Sequence, residues 1–254
     1  MNSQLSFNMV LGLAMNTSLM FTALMGTCNM AYAKDADAEP TWAFKLTPSL
    51  YATQNEANAA DVNLRGNLGN QTTWIGQYVR GNDFQQTRWG YEYSADFSWG
   101  QIVPSVQLAS KGFVGTSVNF QIGGPTYLIT GLGRTNLKEY YNLTFDPNDS
   151  YGIGFGTKTI KNHTLNVFTV KDNRLNTGQT VTHANWRWQI TRTQRLVMDL
   201  SHKTGKLTAD AVPLKGNAIS ISYDQGPHFI KWAKEQKVNF SDHDQQRISA
   251  GIRF

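Results

Sequence analysis

The chain has 254 residues, 40% of them apolar, a mean hydropathy of −0.40 and a formal net charge of +5. These values exclude a bundle of transmembrane helices, and the single cysteine, Cys28, excludes a domain built on disulfides. The basic residues are scattered singly along the chain, which argues against a nucleic-acid partner despite the positive charge.

The N-terminal segment has the features of a secretory signal peptide. Residues 8–26 are loosely apolar, and Ala31-Tyr32-Ala33 supplies small residues at the −3 and −1 positions before a charged stretch. The usual basic start is missing, because no Lys or Arg precedes position 34. We expect residues 1–33 to be removed and residues 34–254 to form one domain. The alternative is a membrane anchor helix, which polar residues within the apolar run disfavour.

From residue 41 onward the chain consists of runs of about ten residues in which apolar and polar side chains alternate. Such alternation predicts β-strands with one apolar and one polar face. Turn-forming residues separate the runs, and no stretch beyond the signal peptide requires a helix. The clearest runs in chain order are 88–97, 112–122 and 181–190, and the clearest turns are 66–70, 81–83, 123–125, 146–149 and 226–227.

Two features favour a transmembrane barrel over a soluble β-sandwich. The polar faces carry charges of both signs in mid-strand, as a wet lumen requires, and the apolar faces carry aromatic residues near the strand ends, as in the girdles at membrane surfaces. The aromatic residues assigned to the outer girdles are Trp42, Trp74, Tyr78, Trp89, Phe97, Tyr151, Trp232 and Phe254.

The last ten residues, Gln245 to Phe254, form an alternating strand that ends on an aromatic residue. Ile248 and Ile252 lie on its apolar side with Phe254, and two arginines lie on the other side. The segment resembles the C-terminal strand of bacterial outer-membrane β-barrel proteins. In length and terminus the chain is similar to narrow monomeric channels such as the oligogalacturonate-specific porins. The resemblance implies an outer-membrane location, contact with membrane lipid and lipopolysaccharide, and recognition of the terminal strand by the barrel assembly machinery.

The expected fold is all-β, a transmembrane antiparallel up-and-down barrel. A membrane-spanning strand takes about nine to eleven residues, so the mature length favours twelve strands, with fourteen as the alternative. With the last strand descending to the periplasm, Gly205–Lys215 and Lys237–Asp244 become outer loops, and Asp224–Pro227 becomes a tight periplasmic turn.

The function we expect is a narrow channel for small polar or anionic solutes. Porins of this kind use basic lumen residues to pass acidic sugars, and the charges that alternation places in the lumen are mixed with a slight positive excess. The pore-lining candidates are Lys45, Arg65, Arg88, Glu92, Arg187, Lys231, Arg247 and Arg253. Asp61, Asp96, Asp199 and Glu235 are expected on the same face.

The alternatives are a barrel enzyme acting on envelope lipid or peptide, and a closed structural or surface-binding barrel. The histidines offer no convincing catalytic set: His202 has only Thr204 two residues on, His183 lacks a nucleophile, and His243 stands in a predicted loop. We therefore expect no enzymatic activity, no metal and no cofactor. Calcium binding at Asp146 and Asp149 is a minor alternative.

Glycines alternate through Gly152-Ile153-Gly154-Phe155-Gly156 and are assigned to the lumen side of a strand. They could make room for an inward loop or a solute. The simpler interpretation, which we favour, is that small residues allow a small barrel to close.

Overall fold

A computed structural model describes residues 40–254 except 142, 144, 145 and 173. The predicted signal peptide lies outside these residues. Within them no helix is long and apolar enough to cross a membrane. The strands are β1 (Ala43–Thr53), β2 (Ala59–Leu68), β3 (Gln71–Arg80), β4 (Phe84–Tyr93), β5 (Ala95–Phe97), β6 (Gly100–Ala109), β7 (Phe113–Gly123), β8 (Thr126–Thr135), β9 (Ser150–Thr157), β10 (His163–Asp172), β11 (Thr180–Gln189), β12 (Gln194–Gly205), β13 (Leu214–Gln225), β14 (His228–Glu235) and β15 (Gln245–Arg253).

The strands close into an up-and-down antiparallel barrel of fourteen strands. Apart from β5, each strand pairs with the strands next to it in the sequence, and β4 pairs with β6. The first strand closes on the last through pairs such as Lys45–Arg253 and Leu50–Ile248. The expectation of twelve strands is therefore wrong, and the alternative of fourteen is confirmed. The additional strands fit because several connections are only two residues long.

The short strand β5 is not one of the fourteen strands that close the barrel, and it pairs only with β6. It continues β4 in an unchanged register, since Glu92 faces Ser105 and Ala95 faces Ile102. Between these pairs the register places Pro104 opposite β4, where it has no N–H to donate to a ladder. Ser94 N–H bonds instead to the carbonyl of Asn70 in the neighbouring turn, at 2.8 Å. The strand is interrupted at this point.

The two ends of the barrel differ in the length of their connections. At the end where β1 begins and β15 ends, several connections have only two residues, among them 69–70, 124–125 and 226–227. At the opposite end lie the longer connections, among them 136–149, 206–213 and 236–244. The two predicted loops therefore lie at one end of the barrel and the predicted tight turn lies at the other. We call these the terminal end and the loop end.

The outer surface is apolar in the way a lipid-facing wall requires. Isoleucine, leucine, valine and aromatic side chains that alternate outward are well exposed, for example Phe155 at 65% and Ile248 at 56%. Six of the predicted girdle residues face outward as expected; two do not. Tyr78 is fully buried inside the barrel and Trp74 borders the lumen. Both occupy inward positions of β3, whose residues Ile75 and Val79 face outward.

The interior is unevenly filled. On the side of β8 to β10 the lumen is closed by a buried cluster of Tyr127, Ile129, Phe168 and Val170. These side chains come from β8 and β10 and cover the glycines of β9 between them. A Cβ atom at Gly156 would fall 2.3 Å from the Tyr127 ring, and one at Gly154 would fall 2.4 Å from the Phe168 backbone. The glycines make room for packed wall side chains, and the open space lies against the opposite strands.

Candidate functional site

The main cavity of the barrel has a volume of about 440 Å³ and runs along the charged side of the lumen. Side chains from most of the strands border it, together with Tyr140, Leu143 and Asp146 from the long connection between β8 and β9. All eight residues selected as pore-lining from the sequence lie on its border. Asp61, Asp199 and Glu235 lie there too, whereas Asp96 lies outside it.

Every acidic side chain on the cavity border has a basic partner. The buried pair Arg88–Asp61, the pair Arg65–Glu92 and the pair Lys203–Glu235 join neighbouring parts of the wall. Asp224 is held by Arg195 and by Arg253, the latter at 3.2 Å. Asp146 and Asp199 both bind His183. Each carboxylate on the cavity border thus has a nearby hydrogen-bonding or ion-pair partner.

The basic side chains outnumber these carboxylates. Lys45 and Lys231 have no ion-pair or hydrogen-bond partner among the described residues, and the Nζ atom of Lys45 lies 4.3 Å from the centroid of the Phe229 ring. Arg247 donates to the carbonyl of Leu143 at 2.9 Å. Nine inward-facing basic residues border the cavity against six acidic ones: Lys45, Arg65, Arg88, Arg187, Arg195, Lys203, Lys231, Arg247 and Arg253 against Asp61, Glu92, Asp146, Asp199, Asp224 and Glu235.

The described residues of the connection 136–149 enter the lumen from the loop end, and the two tyrosines among them are anchored on the wall. Tyr140 stacks on Phe113 with ring centroids 4.3 Å apart, and Gln107 donates to its hydroxyl. Tyr141 stacks on Tyr78 at 4.1 Å. Burial raises the pKa of both loop hydroxyls, so they stay neutral inside the barrel. We call residues 136–149 the inward loop.

The far part of the inward loop contacts the opposite wall. The carboxylate of Asp146 lies 2.8 Å from Nε2 of His183, whose Nδ1 lies 2.9 Å from Asp199. Asp149 accepts from the backbone N–H of Thr135 at 3.1 Å and from Arg174 at 2.7 Å. Each acidic side chain proposed for calcium therefore has a protein partner, and no group of three possible metal ligands occurs in the described part of the chain. The inward loop therefore contacts the wall on two sides of the lumen and takes up part of the space between them.

A smaller cavity of about 220 Å³ lies near the terminal end. It is bordered by polar groups of β6, β7 and β10 and by Lys158, and it shares Arg187 with the main cavity. Asp96 borders this second space and accepts from Gln101 at 2.7 Å. Arg187 therefore stands where the two spaces meet.

Neither His183 nor His202 is placed to activate a neighbouring hydroxyl group among the described residues. His202 points to the outer side of the wall, where its Nδ1 lies 2.8 Å from the Asn217 side chain. Ser201 faces inward and lies opposite His183 in the β11–β12 register. Both ring nitrogens of His183 are already bound to carboxylates, so neither is available to accept the hydroxyl proton of Ser201.

Sequence reasoning missed part of this lining. Arg195, Lys203 and Asp224 face the lumen. The first two belong to β12, where apolar Leu196 and Leu200 alternate with them, so the sequence pattern could have found both. No local pattern marks Asp146, because its position depends on the fold of the inward loop.

Comparison with known proteins supports the fold. No protein-family model matches the chain, and no curated protein matches it in sequence. Among solved structures, the outer membrane protein Omp33 of Acinetobacter baumannii matches with a TM-score of 0.56, at 7% identity over 84% of this chain and 98% of that one. The KdgM porin matches with a TM-score of 0.45, at 8% identity over 83% and 99% of the two chains. The NanC porin gives 0.46, at 8% identity over 82% and 98%.

The closed wall, the apolar outer surface and the charged interior are those of a protein whose outer side meets lipid and whose inner side meets water. The likeness to Omp33 agrees with this architecture. The chain therefore has the fold of the bacterial outer-membrane β-barrels.

Proposed function

We propose that the protein is a narrow outer-membrane channel for small polar solutes and that it prefers anions. The observation that carries the proposal is the inventory of charges on the cavity border. Nine inward basic side chains face six acidic ones, and each acidic one already contacts a basic partner or His183. An entering cation finds no free carboxylate there, whereas an anion finds the ammonium groups of Lys45 and Lys231.

The inward loop supports a channel that selects by size. Its anchors reach β7 on one side, through Phe113, and β11 and β15 on the other, through His183 and Arg247. A solute must pass beside this loop to reach the cavity below it. The terminal end would face the periplasm and the loop end the exterior, as short and long connections do in bacterial barrels.

The test is the current through the refolded protein in planar bilayers under a KCl gradient. We expect discrete channels with a reversal potential of the sign that chloride permeation gives. Lys231→Met should reduce that potential, because it removes a basic group that has no partner in the described wall. Lys161→Met, in the exposed turn 158–162, is the matched control and should leave it unchanged. Absence of any current from folded protein would refute the channel.

For the remaining partners we propose the roles that the architecture implies. The apolar outer wall would contact membrane lipid, and the long connections of the loop end would lie among lipopolysaccharide. The barrel assembly machinery would recognise Phe254 at the end of the last strand. Its side chain is 66% exposed, and its backbone closes the seam with Phe44 through N–O distances of 2.6 and 3.0 Å. We propose no enzymatic role, because neither nitrogen of His183 can serve as a base for Ser201.

A further inference from the structure

A cluster of charged side chains at the terminal end of the lumen carries an uncompensated positive charge. It consists of Lys45 from the start of β1, Arg195 from the start of β12, Asp224 from the end of β13 and Arg253 from the end of β15, gathered around Phe229. All five border the main cavity. Three cations and one carboxylate leave a charge of +2, and we call this group the terminal cluster.

Within the terminal cluster, the carboxylate of Asp224 forms ion pairs, whereas the ammonium group of Lys45 forms none with a described residue. Asp224 is 8% exposed at its side chain and binds both Arg195 and Arg253, which are 14% and 24% exposed. Lys45 contacts no acceptor among the described residues. Its ammonium lies over the Phe229 ring at 4.3 Å, and the guanidinium carbon of Arg253 lies 5.0 Å from the same ring. Both cations therefore lie within cation–π distance of the same aromatic ring.

Two further observations concern the terminal cluster: one of its donor groups lacks an acceptor, and the position of its aromatic ring is fixed by the wall. The Nε atom of Arg195 is buried and has no hydrogen-bond partner in the described part of the chain. The Phe229 ring is held against the wall, because a Cβ atom at Gly251 would fall 2.5 Å from it. The ring thus supports Lys45 from the wall side, and the ammonium is left to face the cavity. A buried donor without an acceptor is costly unless an acceptor is supplied.

We propose that the terminal cluster is a binding site for a small dianion with oxygen acceptors, such as a tetrahedral oxyanion or a short dicarboxylate. Two negative charges balance the +2 of the cluster, whereas a monoanion leaves one positive charge in a partly desolvated site, where interactions between charges are stronger than in bulk water. The ammonium of Lys45 and the Nε of Arg195 supply charge-assisted donors. The neighbouring Arg65 does not add to the excess, because Glu92 neutralises it.

The site would be the last binding position before the terminal end of the channel. In this respect it rests on the proposed function, because a solute has to pass the inward loop to reach the site from the loop end. From the terminal end an ion could enter the cluster even if the protein conducted nothing. Binding and conduction can therefore be measured separately.

The experiment is isothermal titration of the refolded full barrel in detergent with sulfate, phosphate and succinate, against nitrate and acetate at constant ionic strength. We expect the dianions to bind and the monoanions to bind at least about tenfold more weakly, the effect of one charge-assisted hydrogen bond. A preference between sulfate and succinate would distinguish a tetrahedral from a dicarboxylate ligand. Equal affinity for sulfate and nitrate would overturn the proposal.

The matched variants are Lys45→Gln and Lys161→Gln. The first should weaken sulfate binding about tenfold, and the second, in an exposed turn, should leave it unchanged. Lys45→Arg keeps the charge and should retain binding, which guards against a general loss of fold; heat-modifiable migration in gels reports folding for each variant. Unchanged sulfate affinity in folded Lys45→Gln would also overturn the site.

The same samples separate this proposal from the channel. Sulfate binding without current in bilayers would leave the site standing and remove the channel. Current without sulfate binding would do the reverse. If both hold, sulfate added on the terminal side should reduce chloride current at concentrations near its measured dissociation constant, and Lys45→Gln should relieve this block.

Discussion

At the scale of single residues, the stability of the barrel depends on buried charges that are matched in pairs. Arg88 and Asp61 are each 5% exposed at the side chain and form an ion pair inside the barrel. Removing one partner leaves the other charge buried without compensation. We expect Arg88→Met to cost about 3–5 kcal/mol of unfolding free energy. The double variant Arg88→Met/Asp61→Asn should recover most of this loss in guanidinium unfolding from lipid vesicles; an additive double variant would contradict the pairing.

A second residue-scale prediction concerns two glycines of the same strand. A Cβ atom at Gly154 would meet the backbone of Phe168, whereas one at Gly156 would meet the Tyr127 ring and the Asn166 side chain. Backbone cannot yield without moving the wall, but side chains can rotate. Gly154→Ala should therefore cost about 1–3 kcal/mol, and Gly156→Ala should cost less. The midpoint of thermal unfolding of the two variants, measured side by side, decides the order, and the reverse order would show that the packing over β9 is misassigned.

The alternation of the sequence predicts which way most side chains face. It placed Ile248 on the outer wall and brought all eight selected lumen residues to one cavity border. The prediction is wrong for two aromatic residues of β3, because their residue type and not their place in the alternation determined the assigned face. Trp74 and Tyr78 were assigned to the girdles because they are aromatic, yet both share the inward face of β3. An aromatic side chain in a strand is therefore informative about the membrane only after its face is known.

At the scale of elements, the inward loop is the part of the site that the sequence could not reveal. The turn chemistry around Asp146 and Pro147 indicates a bend, but nothing local indicates that the segment enters the lumen. Its place is set by contacts with distant strands, at His183 of β11 and Arg247 of β15. Pairs separated by about 40 to 100 residues along the chain leave no periodic signal within a window of ten.

The inward loop also gives an element-scale prediction. Replacing residues 138–147 by a short Gly-Ser linker removes the tyrosine anchors and the Asp146–His183 contact. We expect a severalfold larger single-channel conductance, because the lumen beside the charged wall is then unobstructed. A replacement of equal kind in the connection 206–213, which contributes no residue to the cavity border, should leave conductance unchanged. Equal conductance in both variants would show that the loop does not set the width of the pore.

At the scale of the whole molecule, the number of strands follows from the short connections at the terminal end. Two-residue connections such as 69–70, 124–125 and 226–227 leave enough residues for fourteen spanning strands. An estimate from mean length treats all connections alike and gives twelve. Barrel diameter grows with strand number, so the larger barrel needs interior packing, and the cluster around Ile129 and Val170 provides it on one side. The eccentric position of the cavity is the result.

Closure of the whole barrel depends on the seam between the first and last strands, where Phe254 forms two backbone hydrogen bonds with Phe44 and stacks on its ring at 5.8 Å. The substitution Phe254→Ser keeps the backbone bonds but removes the exposed ring that we propose the assembly machinery reads. We expect much less folded protein in outer-membrane fractions, while the variant refolded in detergent keeps heat-modifiable migration. Val212→Ser, at a loop residue 83% exposed, is the control and should reach normal levels. If Phe254→Ser fails equally in detergent, the ring acts through the stability of the seam; if it is assembled normally in cells, the terminal aromatic residue has no part in recognition.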